Sequence, residues 1–322
     1  MKLQTKAIYN LLRLNAQEES EVDAKPWALE DLREISLENL FQKLVAFGIS
    51  LDRNAFFSFA AECDTPEELA QLLLEESISA EQFDQAYLTI FELWRRLLPE
   101  KQSLSVFCDE LDHRIFLYDQ GALESDEPIQ DMLANLQEIL EENLDEGEAP
   151  LDIFRAISEY CAHDIEGFLY DYISGLLDDG DVGYASELME GFFPFLPDSI
   201  WSQFLRARAL SFTDPSKANA EVARILDEHP HNETAFLFET LRFLSVSGEH
   251  RLFIAVIQKI IAQLQTEEEF EELMKMAADY YRRLDQDEVE IAIERLMKKR
   301  SVKNFTFDPR DPDLKAFARS LK

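Results

Sequence analysis

Basic residues, glycine and long apolar runs are all scarce in this sequence of 322 residues. It has 31 Lys and Arg against 65 Asp and Glu, and the resulting net charge of −34 repels nucleic-acid phosphates and anionic lipid surfaces. Nine glycines are too few for a glycine-rich phosphate loop or a turn-rich β-sandwich. No apolar run reaches the roughly 18 residues of a membrane span. We therefore expect neither a nucleic-acid nor a membrane partner.

Cysteine is also rare, and its three positions, Cys63, Cys108 and Cys161, are widely spaced. An odd count without close pairs indicates no disulfide framework. Residues 1–6 resemble the start of a signal peptide, but polar residues interrupt the apolar stretch that should follow. These features favour a protein of the reducing cytoplasm.

What the sequence does contain is typical of helices. Apolar residues make up 46% of the chain, enough for a packed core, and many recur at a spacing of three or four residues, as in Phe83, Ala86, Tyr87, Ile90, Phe91 and Trp94. Helix starts are predicted at five capping residues, namely Thr65, Ser79, Asp214, Asn232 and Thr266. Gly48 and Gly121 follow apolar helical runs, where a terminating glycine is expected. We predict an all-α protein with about 14 to 16 helices.

Three ranges are predicted from changes in composition. An acidic run at 141–148 separates a helical region, 1–147, from a second helical region, 148–297, and a more basic tail with a short final helix follows at 298–322. The polar stretch 17–25 is expected to separate a first helix from the body of the chain. Residues 302–307 come closest to the alternating pattern of a strand.

The second region repeats with a period of about 33 residues. Ala185 and Ala218 are 33 apart, and so are Pro197 and Pro230. The apolar positions Leu177, Leu210 and Phe243 share that spacing. A group of three apolar residues repeats in the same way: Met189, Phe192 and Phe193 recur 33 residues later as Val222, Ile225 and Leu226. A third copy of this group, Ile257, Ile260 and Ile261, follows after another 35 residues. Such a period predicts stacked helix pairs, because one pair alone cannot bury its apolar face.

Because of these repeated positions, the range of about 151–265 resembles the tetratricopeptide repeat, a 34-residue helix pair. The clearest copy runs from Ser199 and Trp201 through Ala207, Asp214-Pro215 and Ala218 to Pro230. The periods of 33 and 35, and the missing Gly and Tyr of the first helix, depart from the family pattern. The resemblance implies an α-solenoid that binds peptides or proteins on a concave face and has no catalytic activity.

Negative charge is concentrated in the middle of the chain. Residues 115–205 carry 22 Asp and Glu but a single basic residue, Arg155. We predict an acidic partner-binding patch beside the first repeat turn, formed by Asp171, Asp178, Asp179, Asp181, Glu187 and Glu190. The alternative is a set of solvated helix faces that serve solubility.

Patterns for catalysis or metal binding are weak, so we predict no catalytic residues, no metal and no cofactor. Glu110 and His113 have the spacing of di-iron helices, but a second such pair is missing. Cys161, His163 and Glu166 lack the further ligands that zinc requires. The run 178–183 fails the calcium-loop register and is better explained as a turn.

Together these patterns predict a non-catalytic module, scaffold or chaperone-like holder that binds a basic or amphipathic protein segment. Two alternatives remain: a structural protein that assembles as a homodimer, and an enzyme whose site is not visible in the sequence. Consecutive phenylalanines at 56–59 and 192–195 fit either helices buried between neighbours or an apolar binding strip.

Overall fold

The computed structural model describes residues 25–321, apart from 29, 75–77, 146, 230–231 and 301–304. The first helix predicted before residue 17 lies outside these residues. In the described part of the chain the regular secondary structure is helical throughout, so the predicted all-α class is confirmed. None of the helices described is both long and apolar enough to cross a lipid bilayer.

Two short 3-10 helices, Pro26–Ala28 and Leu32–Glu34, precede sixteen α-helices in the described residues. In chain order these are α1 (Leu37–Val45), α2 (Arg53–Ala60), α3 (Pro66–Leu73), α4 (Ala80–Leu97), α5 (Leu104–Asp119), α6 (Glu127–Asp145), α7 (Pro150–Ser158), α8 (Ile165–Asp179), α9 (Val182–Phe192), α10 (Ile200–Ser211), α11 (Pro215–Glu228), α12 (Thr234–Ser247), α13 (His250–Ile261), α14 (Glu267–Arg283), α15 (Asp287–Lys299) and α16 (Pro312–Ser320).

Local sequence signals account for several helix ends. Thr65 and Asp214 cap α3 and α11, each with proline in the first turn, and Ser79 and Thr266 form capping boxes that begin α4 and α14. Gly48 and Gly121 have φ values of 79° and 62°, in the left-handed region that glycine adopts without strain. These predictions are confirmed.

The cap predicted at Asn232 was wrong. Helix α12 begins at Thr234, and Glu233 at its N-cap makes no side-chain capping bond. Asn232 is instead buried, and its side-chain amide finds no hydrogen-bond partner among the described residues. The cap signal failed because the Asn232 side chain is buried and accepts no hydrogen bond from the first turn of the helix.

The chain divides into two compact units, one of residues 1–169 with 191–197 and the other of residues 170–190 with 198–322. In the first unit, α4 packs against α1 and α3, while α6 packs against α5 and α7. One cluster of buried apolar side chains in this unit includes Leu40, Phe56, Ile90, Phe91 and Trp94. The predicted ranges 1–147, 148–297 and 298–322 stay predictions.

Buried charges join the start of the first unit to its helices. Arg96 of α4 donates to the carbonyl oxygens of Leu32, Arg33 and Ile35 at 2.6–2.7 Å, while Glu92, 2% exposed, binds the Arg96 guanidinium. Because buried charges are tolerated only when paired, this network requires the 3-10 helix Leu32–Glu34 to lie against α4.

A second set of ion pairs links the same 3-10 helix to α5. Arg33 contacts Asp109 at 2.5 Å and Glu110 at 2.9 Å. Burial raises the pKa of Asp109 to about 6, although Arg33 and Arg95 oppose that rise. Glu110, the carboxylate of the di-iron pattern, is thus paired with arginines, which also include Arg114 at 2.9 Å.

From α10 to α15, the second unit contains three packed pairs of helices that are consecutive in the chain. Helix α10 packs on α11, α12 on α13 and α14 on α15, and α12 also contacts α10 and α14. Their shared core contains five fully buried phenylalanines, Phe204, Phe236, Phe253, Phe270 and Phe317. The small Ala218 at the repeat position of α11 is fully buried, so it allows close helix approach as its spacing suggested.

The C-terminal segment returns to α14. Thr306 forms an isolated antiparallel bridge with Thr266, and no strand is present in the part of the chain that is described. Arg300 then pairs with Glu267, Asp311 and Asp313 at 2.7–3.1 Å. These contacts hold α16 near the start of α14.

Candidate partner-binding site

Helices α8 and α9 carry five of the six predicted acidic residues, and the sixth, Asp181, lies in the turn between them. All six are exposed. The two helices meet at Gly180, whose φ of 82° ends α8. Around this turn the backbone N–H of Asp181 donates to the carbonyl of Leu176 at 2.9 Å, a usual way for a helix to end at glycine. The run 178–183 therefore contains the turn between the two helices, as its sequence suggested, and Gly180 and Asp181 form that turn.

Two of the six carboxylates have structural partners in the second unit. Asp178 accepts from the Arg208 guanidinium at 2.6 Å, and Arg208, 7% exposed, also donates to the hydroxyl of Ser174 and to its carbonyl. Asp181 accepts from the N–H of Tyr184 at 3.3 Å and so caps α9. The charge of Asp178 is therefore offset by a buried arginine, which the sequence did not indicate.

The other four, Asp171, Asp179, Glu187 and Glu190, project from α8 and α9. The local excess of negative charge persists because the sequence provides no basic residue between Arg155 and Arg206. Such a surface attracts a basic segment within about 10 Å at moderate salt.

A cleft of about 360 Å³ lies beside this acidic surface in the second unit. It is lined by residues of three helices and their ends: Leu177 and Asp178 of α8, Arg208, Ser211 and Phe212 of α10, and Glu239, Arg242, Phe243, Val246 and Ser247 of α12. Phe212 is 53% exposed and Val246 is 70% exposed, so apolar surface is open to solvent here. A concave, partly apolar cleft with a few polar groups is a common form of binding site.

Charged groups inside the cleft are balanced. Glu239 pairs with Arg242 at 2.9 Å, and Arg242 also contacts Glu272 at 3.4 Å. The charges of Asp178 and Arg208 also cancel each other. The cleft itself therefore offers apolar surface and has little net charge. The exposed carboxylates Asp179, Glu187 and Glu190 lie on α8 and α9. Of these two helices, α8 lines the cleft.

The sequence did not identify Phe212, Val246, Arg208 or Glu239 as site residues. A signal was present, since Leu177 and Phe243 belong to the apolar positions spaced 33 residues apart and both line the cleft. Sequence alone could not place them around a common cavity, because that depends on how α8, α10 and α12 are positioned.

The two phenylalanine clusters are mostly internal. Phe56, Phe192 and Phe195 are 0–3% exposed, while Phe59 is 41% exposed. The interpretation of buried helices therefore accounts for most of these side chains, and the 192–195 cluster does not form an open strip.

Residues considered for metal binding have other partners. Asp112 accepts from the N–H groups of Ala162 and His163 at 2.7 and 3.0 Å, and its Oδ1 lies 2.9 Å from Nδ1 of His163. Among the described residues no group of three or more His, Cys, Asp or Glu side chains is arranged to hold a metal ion.

Comparison of this chain with protein-family models, with curated proteins and with solved structures finds no match.

Proposed function

We propose that the protein is a non-catalytic binding module whose second unit is a tetratricopeptide-like helical array. Its cleft between α8, α10 and α12 holds an amphipathic, basic segment of another protein. The neighbouring acidic surface attracts that segment before it docks. The expected site of action is the reducing cytoplasm, with which three free cysteines are compatible.

The helix pairs support the repeat part of this proposal. The pairs α10–α11 and α12–α13 follow the 33-residue spacing, and α12 packs against α10 and α14. The repeat positions Ala185 and Ala218 are both fully buried. Arrays of this kind bury a continuous core between neighbouring pairs and leave an extended surface for partners.

The observation that carries the binding proposal is the exposure of Phe212 and Val246 within a concave cleft. Burying an aromatic side chain in such a place contributes much of the free energy of binding in protein complexes. The cleft has room for apolar side chains of a segment, while carboxylates such as Asp179 attract its basic residues.

The test is fluorescence anisotropy with two labelled synthetic peptides that share one amphipathic apolar pattern. One peptide carries Lys and Arg at its polar positions, and the other carries Glu. We expect the basic peptide to bind and the acidic peptide to bind at least roughly tenfold more weakly, because like charges repel across the interface. Equal affinity for both peptides would contradict the electrostatic part.

The cleft is tested by Phe212→Ser combined with Val246→Ser. We expect roughly tenfold weaker binding of the basic peptide, since two exposed apolar contacts are removed. The matched control is Leu284→Ser with Ile291→Ser, two residues of the same unit that are each 44% exposed and do not line the cleft. Equal losses in both double variants would place the site elsewhere.

The acidic surface is tested by Asp179→Asn, Glu187→Gln and Glu190→Gln together. These changes keep the Asp178–Arg208 pair and the Asp181 cap. The matched control removes three other exposed charges, at Asp285, Asp287 and Glu288. We expect the first set alone to slow association and to reduce its dependence on salt.

Exposed apolar side chains in the cleft also favour the alternative of self-assembly. Sedimentation at several concentrations distinguishes the two functions. The alternative is favoured if the protein is a stable dimer, if the Phe212→Ser, Val246→Ser variant is a monomer, and if neither peptide binds. The protein would then be a homodimeric structural protein and not a binding module.

A further inference from the structure

Two cysteines that are 53 residues apart in sequence lie together in the first unit. Cys108 is in the second turn of α5, and Cys161 follows the end of α7. Both are buried, at 1% and 8% exposure. Their Sγ atoms lie 3.9 and 3.8 Å from one acceptor, the carbonyl oxygen of Ile157.

The Cys108 thiol also affects the Cys161 thiol. The pKa of Cys161 is well above its ordinary value, first because of the hydrogen bond with Cys108 and then because of burial. The thiolate form of Cys161 is therefore disfavoured, and burial shields both sulfurs from solvent while the surrounding structure is closed.

A short connection between α7 and α8 is hydrogen-bonded to α5. Cys161 lies in this connection, and Ala162 and His163 beside it donate their N–H groups to the buried carboxylate of Asp112. Asp112 belongs to α5, as does Cys108. The same helix thus supplies one thiol and the carboxylate that holds the segment with the other thiol.

Cys63 has a different environment. Its Sγ contacts the carbonyl oxygen of Phe59 at 3.6 Å, and burial followed by the Glu68 carboxylate raises its pKa. It therefore serves as an internal control for the other two cysteines.

We propose that Cys108 and Cys161 are a redox site that forms an intramolecular disulfide with a small-molecule disulfide such as oxidised glutathione. The Cys161 thiolate attacks one sulfur of the oxidant, forms a mixed disulfide and releases one glutathione thiol. Cys108 then attacks the Cys161 sulfur and releases the second. Two electrons and the two cysteine protons leave with the two glutathione molecules, and the new bond joins α5 to the connection after α7.

The test refolds the full chain from denaturant in a glutathione redox buffer, so that burial cannot prevent exchange. Free thiols are then counted with a chromogenic disulfide reagent, and the linked peptides are identified by mass spectrometry. We expect two of the three thiols to be lost, with a mass decrease of about 2 Da for two hydrogens and a Cys108–Cys161 peptide. Native far-ultraviolet circular dichroism confirms that the oxidised chain has folded.

Matched variants separate the possible results. Cys63→Ser should leave the two-thiol loss unchanged, whereas Cys108→Ser and Cys161→Ser should each abolish the disulfide. Three free thiols after refolding, a bond that includes Cys63, or glutathione mixed disulfides alone would overturn the proposal.

The role of the connection is measured on the folded chain. Asp112→Asn removes the charge that holds Ala162 and His163, so oxidation by glutathione disulfide should become several-fold faster. The comparison variant, Asp164→Asn, changes an exposed carboxylate of the same connection that accepts from the Gly167 N–H. A faster rate in Asp164→Asn alone would contradict the control of access by Asp112.

Discussion

Replacing Arg300 by methionine tests how the C-terminal helix is attached. The Arg300 side chain is only 8% exposed and pairs with three carboxylates, those of Glu267, Asp311 and Asp313. Its guanidinium also lies 4.8 Å from the ring centre of Phe270. The variant leaves three carboxylates close together without their shared cation.

The expected loss follows from these contacts. Removing one partner of a buried ion pair costs about 3–5 kcal/mol. The carboxylates are 16–28% exposed and keep some water, which lowers the cost, while the lost contact with the Phe270 ring adds about 1 kcal/mol. We expect a decrease of about 3 kcal/mol in the free energy of unfolding of the second unit, or about 6–12 °C in its thermal midpoint.

The same reasoning predicts how the loss depends on pH. The hydrogen bond from Arg300 is the main reason that the pKa of Asp311 lies below its ordinary value. A lowered carboxyl pKa stabilises the folded state above the unfolded-state pKa, and this contribution disappears as the pH falls through the folded-state pKa. The difference between the two proteins should therefore shrink below about pH 4.

Denaturant unfolding followed by circular dichroism measures both effects. The matched control is Arg310→Met in the same tail, because Arg310 is exposed. A loss below about 1 kcal/mol, equal losses in the two variants, or a loss that is constant down to pH 3 would refute the reasoning.

Three further outcomes are expected. The Asp109 carboxyl group should titrate near pH 6 when its carbon resonance is followed by NMR, and a midpoint near 4 would contradict the argument. Because burial raises the folded-state pKa, the free energy of unfolding should fall as the pH rises from about 4 to about 6, and Asp109→Asn should flatten this slope. Asn219→Leu should cost about 1–3 kcal/mol in chemical unfolding, because Asn219 bonds the Ser247 carbonyl and the Glu249 N–H, whereas unchanged stability would mean that water replaces it. Gly248→Ala should cost about 1–3 kcal/mol, since a Cβ would lie 2.6 Å from the Cα of Leu244; a neutral result in thermal melts would show that α12 can shift.

Much of the secondary structure could be predicted because its causes are local. The capping boxes at Ser79 and Thr266 act within three residues, and the glycines at 48 and 121 need only a backbone conformation that other residues avoid. The cap expected at Asn232 shows the limit, since burial in the tertiary structure decided the environment of that side chain.

The candidate site was predictable only in part. The acidic residues on α8 and α9 were identified from the charge pattern, and their exposure follows from the high cost of burying unpaired carboxylates. The pairing of Asp178 with Arg208 was not predicted, because residues 30 positions apart meet only when α8 and α10 pack together. The cleft around Phe212 and Val246 has the same origin.

By itself the sequence determined the helical class, the positions of several helix ends and the excess of negative charge on one segment, because spacing, caps and composition act over a few residues. Tertiary structure decided which distant groups meet: Cys108 with Cys161, Arg300 with its three carboxylates, and the apolar residues of three helices around one cleft. The reason is that such contacts depend on the packing of whole helices, and a single sequence does not contain the distances between them.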